Sequence, residues 1–209
     1  MRTRVLILLL ILAVANGRGQ TSVTAVAVDP LAAGRIALED GFAAMAEKSF
    51  KDGLASGTLS EAAASAARHY LMESLLAQRK FDAMLALLAG WSTTGVVPFD
   101  FDVYWRATVL HEQSQYGEAA ELLLPFSETW PKSRLGAPAL RLLGQASLKS
   151  GNVQSAVEAF KSFVEKYPQS DDASLNRLDW GKALILQQEP KQAIGVLQPI
   201  MLDGDAGHL

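Results

Sequence analysis

The side chains that could do chemistry in this chain are few, and their spacing argues against a reaction centre. His69, His111 and His208 stand far apart, without ligand-like spacing to Asp or Glu, so they are expected to be ordinary surface or core residues rather than metal ligands or acid–base groups. Asp171 and Asp172 are adjacent, and they read as a helix N-cap rather than a catalytic carboxylate pair. There is no cysteine, which excludes disulfides, thiolate metal sites, a cysteine nucleophile and a lipidated cysteine. No G-x-S-x-G elbow, glycine-rich phosphate loop or H-E-x-x-H helix occurs, and Gly17-Arg18-Gly19 lies at an N-terminal junction where it has nothing to bind. With 19 basic and 22 acidic residues the net charge is −3, which favours neither nucleic acid nor an anionic membrane. The expectation is no enzyme, no metal and no cofactor. Recognition of other proteins remains.

The elements that would position such a surface are helices. Hydrophobic residues make up 49% of the 209, enough for a sizeable core, and Ala, Leu, Glu, Gln and Lys dominate while β-branched runs are scarce. The first residues stand apart. Arg2 and Arg4 precede an uninterrupted apolar run from Val5 to Leu12, and Ala13-Val14-Ala15 supplies small residues for cleavage. Residues 1–15 therefore read as a secretory signal, too short to span a bilayer. Cleavage would leave 17 basic against 22 acidic residues and no membrane-spanning segment. Residues 16–34 read as a flexible leader.

Between residues 35 and 92 the spacing predicts divergent helical hairpins. Ile36, Leu38, Phe42, Met45, Ala46, Phe50 and Leu54 draw one apolar stripe, read as a single helix ended by Gly53 and Ser56-Gly57-Thr58. A second helix is expected from about Ser60 to Gln78 and a third from Lys80 to Ala89, before a loop holding Trp91, Gly95 and Pro98.

From about Asp100 the chain repeats. Pro131 and Pro168 lie 37 residues apart, as do Ala119, Ala156 and Ala193 in succession; Phe126 matches Phe163, and Trp130 matches Tyr167. Within one unit Leu140, Leu143, Gly144, Gly151, Ala156, Phe160, Phe163 and Pro168 form two short apolar stripes around a glycine turn, which is a helical hairpin. Gly144, with its equivalents Ala107 and Gly181, is small where paired helices approach, and Ala119, Ala156 and Ala193 are the small partners. Gly151 ends the first helix in a left-handed conformation, Pro190 suits a first turn and Pro168 stops a second helix. Pro125 and Pro199, two periods apart, fall inside second helices, where a kink or early break is expected at a cost of about 3 kcal/mol. Upstream, Ala46, Ala83 and Ala120 keep the interval one residue out of register.

Leu140-x-x-Leu143-Gly144, Ala156-x-x-x-Phe160 and Pro168 resemble the tetratricopeptide repeat, with Ser147 where that family has Tyr. The resemblance implies an all-α, right-handed α-solenoid of antiparallel hairpins, about three clear repeats (100–136, 137–173 and 174–202) and up to two eroded ones before them. It also implies a concave wall built by first helices. The family's inner-face positions project onto Phe101, Tyr104, Trp105, Thr108 and His111, then Arg141, Gln145 and Lys149, then Asp179 and Lys182. Tyr104 and Trp105 are adjacent, so only one of them can point fully into the core.

The repeat style is similar to that of periplasmic members of the family. The function this implies is an exported scaffold or adaptor, periplasmic in a Gram-negative source and otherwise secreted, which binds partner proteins or peptides. The alternative is a structural spacer, the N-terminal repeat part of a longer cell-envelope or secretion-assembly protein. Residues 203–209 read as a tail without a polar cap, an end through which the protein could self-associate.

Overall fold

The computed structural model describes residues 30–205, so the signal expected over residues 1–15, the expected leader up to residue 29 and the last four residues of the tail, His208 among them, lie outside the described residues. Those described form helices α1 (Pro30–Glu39), α2 (Ala43–Ala55), α3 (Glu61–Ala77), α4 (Phe81–Thr94), α5 (Phe99–Glu112), α6 (Tyr116–Leu123), α7 (Phe126–Thr129), α8 (Gly136–Lys149), α9 (Val153–Lys166), α10 (Ala173–Leu186) and α11 (Pro190–Asp205). They pair as five antiparallel hairpins: α1–α2, α3–α4, α5 with α6–α7, α8–α9 and α10–α11. Each second helix packs on the next first helix, α2 on α3, α4 on α5, α6 on α8 and α9 on α10, so the layers stack in chain order into an α-solenoid.

One backbone feature sets the register of all five. Each hairpin turns on a residue in the left-handed region: Gly41 at φ 83°, Arg79 at 55°, Ser114 at 64°, Gly151 at 86° and Gln188 at 65°. The intervals between these turns are 38, 35, 37 and 37 residues. Three of the five are not glycine, and a side chain there costs about 1–2 kcal/mol of backbone strain. Gln188→Gly is therefore expected to raise stability by about 0.5–1 kcal/mol, once glycine's extra entropy in the unfolded chain is set against the relieved strain. A urea midpoint that stays or falls would count against strain at this turn. Arg79 is a less clean site, because its guanidinium also lies 5.1 Å over the Phe81 ring.

Counted from the turns, the close helix–helix contacts fall at constant positions. Seven residues before each turn stand Gly34, Met72, Ala107, Gly144 and Gly181; nine after stand Phe50, Leu88, Leu123, Phe160 and Leu197. A Cβ placed on Gly144 would lie 2.7 Å from two atoms of the Phe160 ring, and one on Gly181 2.8 Å from Leu197. Five residues after each turn stand Ala46, Met84, Ala119, Ala156 and Ala193, all at most 2% exposed. In the second hairpin, Met72 and Met84 replace the small residues of the others, and both are fully buried. Flexible methionine fills the wider seam that two large residues impose.

Several expectations are corrected here. The stripe over residues 36–54 is not one helix: Gly41 reverses the chain between α1 and α2, leaving Ile36, Phe42 and Met45 exposed while Ala46 and Phe50 are buried. The leader ends earlier than residue 34, because α1 starts at Pro30, where proline's fixed φ suits a first turn. The third helix does not stop at Ala89; α4 runs to Thr94 with Trp91 inside it, and ends on left-handed Gly95. The upstream alanine register was wrong by one: intervals of 38 and 35 put Met84 and Ala119, not Ala83 and Ala120, in line with Ala46. The tail begins later than residue 203, since α11 extends to Asp205.

The two prolines behave differently. Pro125 separates α6 from α7, as a residue without an N–H must when it interrupts the hydrogen-bond ladder, yet Phe126 beyond it is still 1% exposed, like Phe163. At Pro199 the expected break does not occur; α11 continues through it.

Candidate functional site

The first helices line up along one wall: α1 touches α3, the His69 ring on α3 meets the Phe101 and Trp105 rings on α5, α5 touches α8, and α8 touches α10. Layers that meet along their first helices are inclined towards one another on that side, so this is the inner wall of the curve.

The wall is not built from all ten residues that the sequence assigns to it. Phe101 and Trp105, 7% and 2% exposed, point backwards into the core shared with α3 and α4. Thr108 and His111 are also buried. Thr108 donates its hydroxyl to the Tyr104 carbonyl at 2.9 Å, the usual end for a threonine hydroxyl inside a helix. These four are corrections: the turn from Tyr104 to Trp105 rotates one ring inward and leaves the other on the surface. Only Tyr104 remains at the wall as a half-buried aromatic ring, packed edge-on 5.2 Å from Trp105.

Around Tyr104 the wall is polar and mostly self-paired. Burial pushes the Tyr104 phenol above its usual range; Thr108 acts against that, and the charges of Glu73 on α3 and Arg141 on α8 pull in opposite directions. Arg141 pairs with Asp172 at 2.8 Å. Asp172 does stand at the N-cap of α10, but its side chain makes no capping bond and serves this inter-hairpin pair instead. On α10, Lys182 pairs with Asp179 at 3.0 Å. Lys149 lies 3.2 Å from His111 Nε2 and 4.8 Å over the Tyr116 ring. Burial first, and the Lys149 ammonium second, push the His111 imidazole below its usual range, with Glu112 partly opposing them. In the contact with Lys149 the ammonium donates and His111 Nε2 accepts.

Gln145 is different. It sits half-buried one turn after Arg141, in the register position of Thr108 and Lys182, and its side-chain amide has no hydrogen-bond partner among the described residues. An amide offers one acceptor and two donors, the complement of a peptide backbone.

Two parts of the surface were missed in sequence. His69 and Glu73 extend the wall onto α3, and they pair at 3.3 Å one helical turn apart, contrary to the expectation that no histidine has a spaced carboxylate. The i, i+4 spacing was the available signal. The His69 ring also lies 5.3 Å from Trp105, edge to face, so it caps the aromatic core. On α10, Leu175, Leu178, Ile185 and Leu186 are all exposed, a 42–61% apolar face outside the projected inner-face positions.

The stacked hairpins with small-residue seams agree with sequence comparison. The Tetratricopeptide repeat family model matches residues 104–171 and 141–198. Residues 104–198 belong to the tetratricopeptide repeat family. No curated protein matches it in sequence. Among solved structures it is similar to MamA (residues 41 to the end) from Desulfovibrio magneticus RS-1, at 16% identity and TM-score 0.60 over 84% of this chain and 93% of that one. It is also similar to a putative kinesin light chain of Podosopora anserina with nearly identical repeats, at 17% identity and TM-score 0.61 over 86% and 95%. YrrB, described as a tetratricopeptide protein with an unusual peptide-binding site, matches at 14% and TM-score 0.50 over 88% and 92%. At these identities the likeness establishes the fold, a right-handed tetratricopeptide solenoid, with its inner wall supplied by first helices. Proteins of this fold serve as interaction scaffolds, and no helix among the described residues is long and apolar enough to cross a membrane.

Proposed function

We propose that this protein is an exported, non-catalytic scaffold that holds an extended segment of a partner protein along the wall of α3, α5, α8 and α10. The observation that carries this reading is Gln145: a half-buried amide with no internal partner, flanked along the wall by the Tyr104 ring and the Arg141–Asp172 pair. Arginine and tyrosine anchor peptides through planar, low-entropy contacts, and an amide between them fixes the register of a bound backbone. Export rests on the signal pattern of residues 1–15, and in a Gram-negative source it leads to the periplasm.

The test is capture of partners from an envelope extract by the full chain and by a Gln145→Ala, Arg141→Ala variant. The variant is expected to keep its helical circular dichroism and lose at least tenfold in capture, while Lys161→Ala on outer helix α9 changes nothing. Equal capture by all three proteins overturns the wall as the site. N-terminal sequencing tests export separately: a mature protein that starts at Met1 removes that part of the reading.

A further inference from the structure

The repeat register shows which residues each layer uses to hold its neighbours, and both ends of the described stack carry those residues uncovered. Five residues before each turn, the first helix faces the preceding layer. Ser74, Val109, Ala146 and Ala183 occupy that position and are each at most 1% exposed. In the first layer the same position is Ile36, 61% exposed. Six residues after each turn, the second helix faces the following layer. There Leu85 packs in one cluster with Trp105 and Val109, Ala120 packs with Ala139 and Leu143, and Val157 packs with Ala183 and Trp180. In the fifth layer this position is Ile194, 68% exposed.

The first helix of the fifth layer repeats the pattern. Tyr104 on α5 packs with Ala139 of the next layer, and Leu148 on α8 packs with Ala183 of the next. Their register equivalents on α10 are Leu178, 42% exposed, and Ile185, 57% exposed. Large aliphatic side chains stand at positions whose counterparts are covered by a first helix, and they are the apolar type that such a helix buries.

We infer that copies of this chain stack head to tail, the α1–α2 hairpin of one copy seating on the α10–α11 hairpin of another. The occupant follows from the register. The chain carries both complementary halves of an apolar interface that it forms internally between its second and third, third and fourth, and fourth and fifth layers, with Ile36 as the backward-facing half and Ile194, Leu178 and Ile185 as the forward-facing half. The contact is heterologous and does not close by symmetry, so association continues beyond a dimer. The stack is independent of what the inner wall binds, and it would align those walls along one superhelix.

Sedimentation velocity of the full chain over a hundredfold concentration range tests this. The wild-type weight-average mass is expected to at least double. Ile36→Asp and Ile194→Asp each remove one half at an exposed site, so each variant alone is expected to stay monomeric with unchanged helicity. Mixed one to one, they restore one intact contact between different copies and give a dimer that grows no further. A wild-type chain that stays monomeric overturns the inference. So does Ile36→Asp self-association, the mark of a tail-to-tail contact, or a mixture without dimer.

Discussion

Gly144→Ala is expected to destabilise the solenoid by about 2 kcal/mol, although the same change in an open helix is favourable. The added methyl would stand 2.7 Å from the Phe160 Cδ1 and Cζ atoms, so the ring or the whole of α9 must move, and overpacking of this kind costs about 1–3 kcal/mol. Gly90, inside α4 with nothing within 4 Å of its would-be Cβ, supplies the control: Gly90→Ala is expected to stabilise by about 0.5–1 kcal/mol from helix propensity alone. The chain also contains the remedy. At the equivalent seam of the third hairpin, Ala107 faces the layer of Leu123, and both are at most 1% exposed. Gly144→Ala combined with Phe160→Leu recreates that pair, so the double variant is expected to lose less than the sum of the two single changes by about 1 kcal/mol or more. Urea midpoints of the four proteins decide it. Strict additivity would mean that Gly144 is not small on account of Phe160.

Acid should loosen the first two layers before the rest, through Glu47. This residue stands six after its turn, where the other layers have Leu85, Ala120, Val157 and Ile194, and its side chain is only 12% exposed. Lys51 donates to it at 2.7 Å, and from the turn after α3 Lys80 and Gln78 donate at 2.8 Å each. Burial raises the carboxyl, and the three donors more than offset it, bringing it from 4.5 down to about 2. A depressed carboxylate contributes stability that is fully present above pH 4.5 and lost as pH falls through that value towards 2. The full interval corresponds to about 3.4 kcal/mol, which screening of the exposed lysines reduces to about 2–3 kcal/mol. Glu47→Gln is expected to cost that amount at pH 7 and almost nothing near pH 2. Hydrogen exchange should show the loss in α1, α2 and the turn after α3, because a solenoid layer is held only by its neighbours. An acid unfolding profile with the same slope in both proteins would rule Glu47 out as its source.

Where one interval persists, the repeat is legible without coordinates: three units spaced by 37, with a glycine or alanine at each seam, can be aligned by eye. Upstream the same architecture is hidden. Arg79 sits where a glycine would announce the turn, Met72 and Met84 sit where small residues would announce the seam, and intervals of 38 and 35 cancel any search at constant spacing. Of the ten residues projected onto the inner wall, Phe101, Trp105, Thr108 and His111 are buried in the packing between helices, whereas Tyr104, Arg141, Gln145, Lys149, Asp179 and Lys182 keep surface in contact with solvent.

Periodicity by itself determined that the chain folds into helical hairpins, because a constant interval of small and large apolar residues can be buried together in only one way, by nesting like units. Which side chain at each position faces the wall and which faces the neighbouring layer was decided by the tertiary structure. A rotation of one residue along a helix turns a side chain by about 100°, and the angle between layers that selects among those directions exists only once the stack has formed.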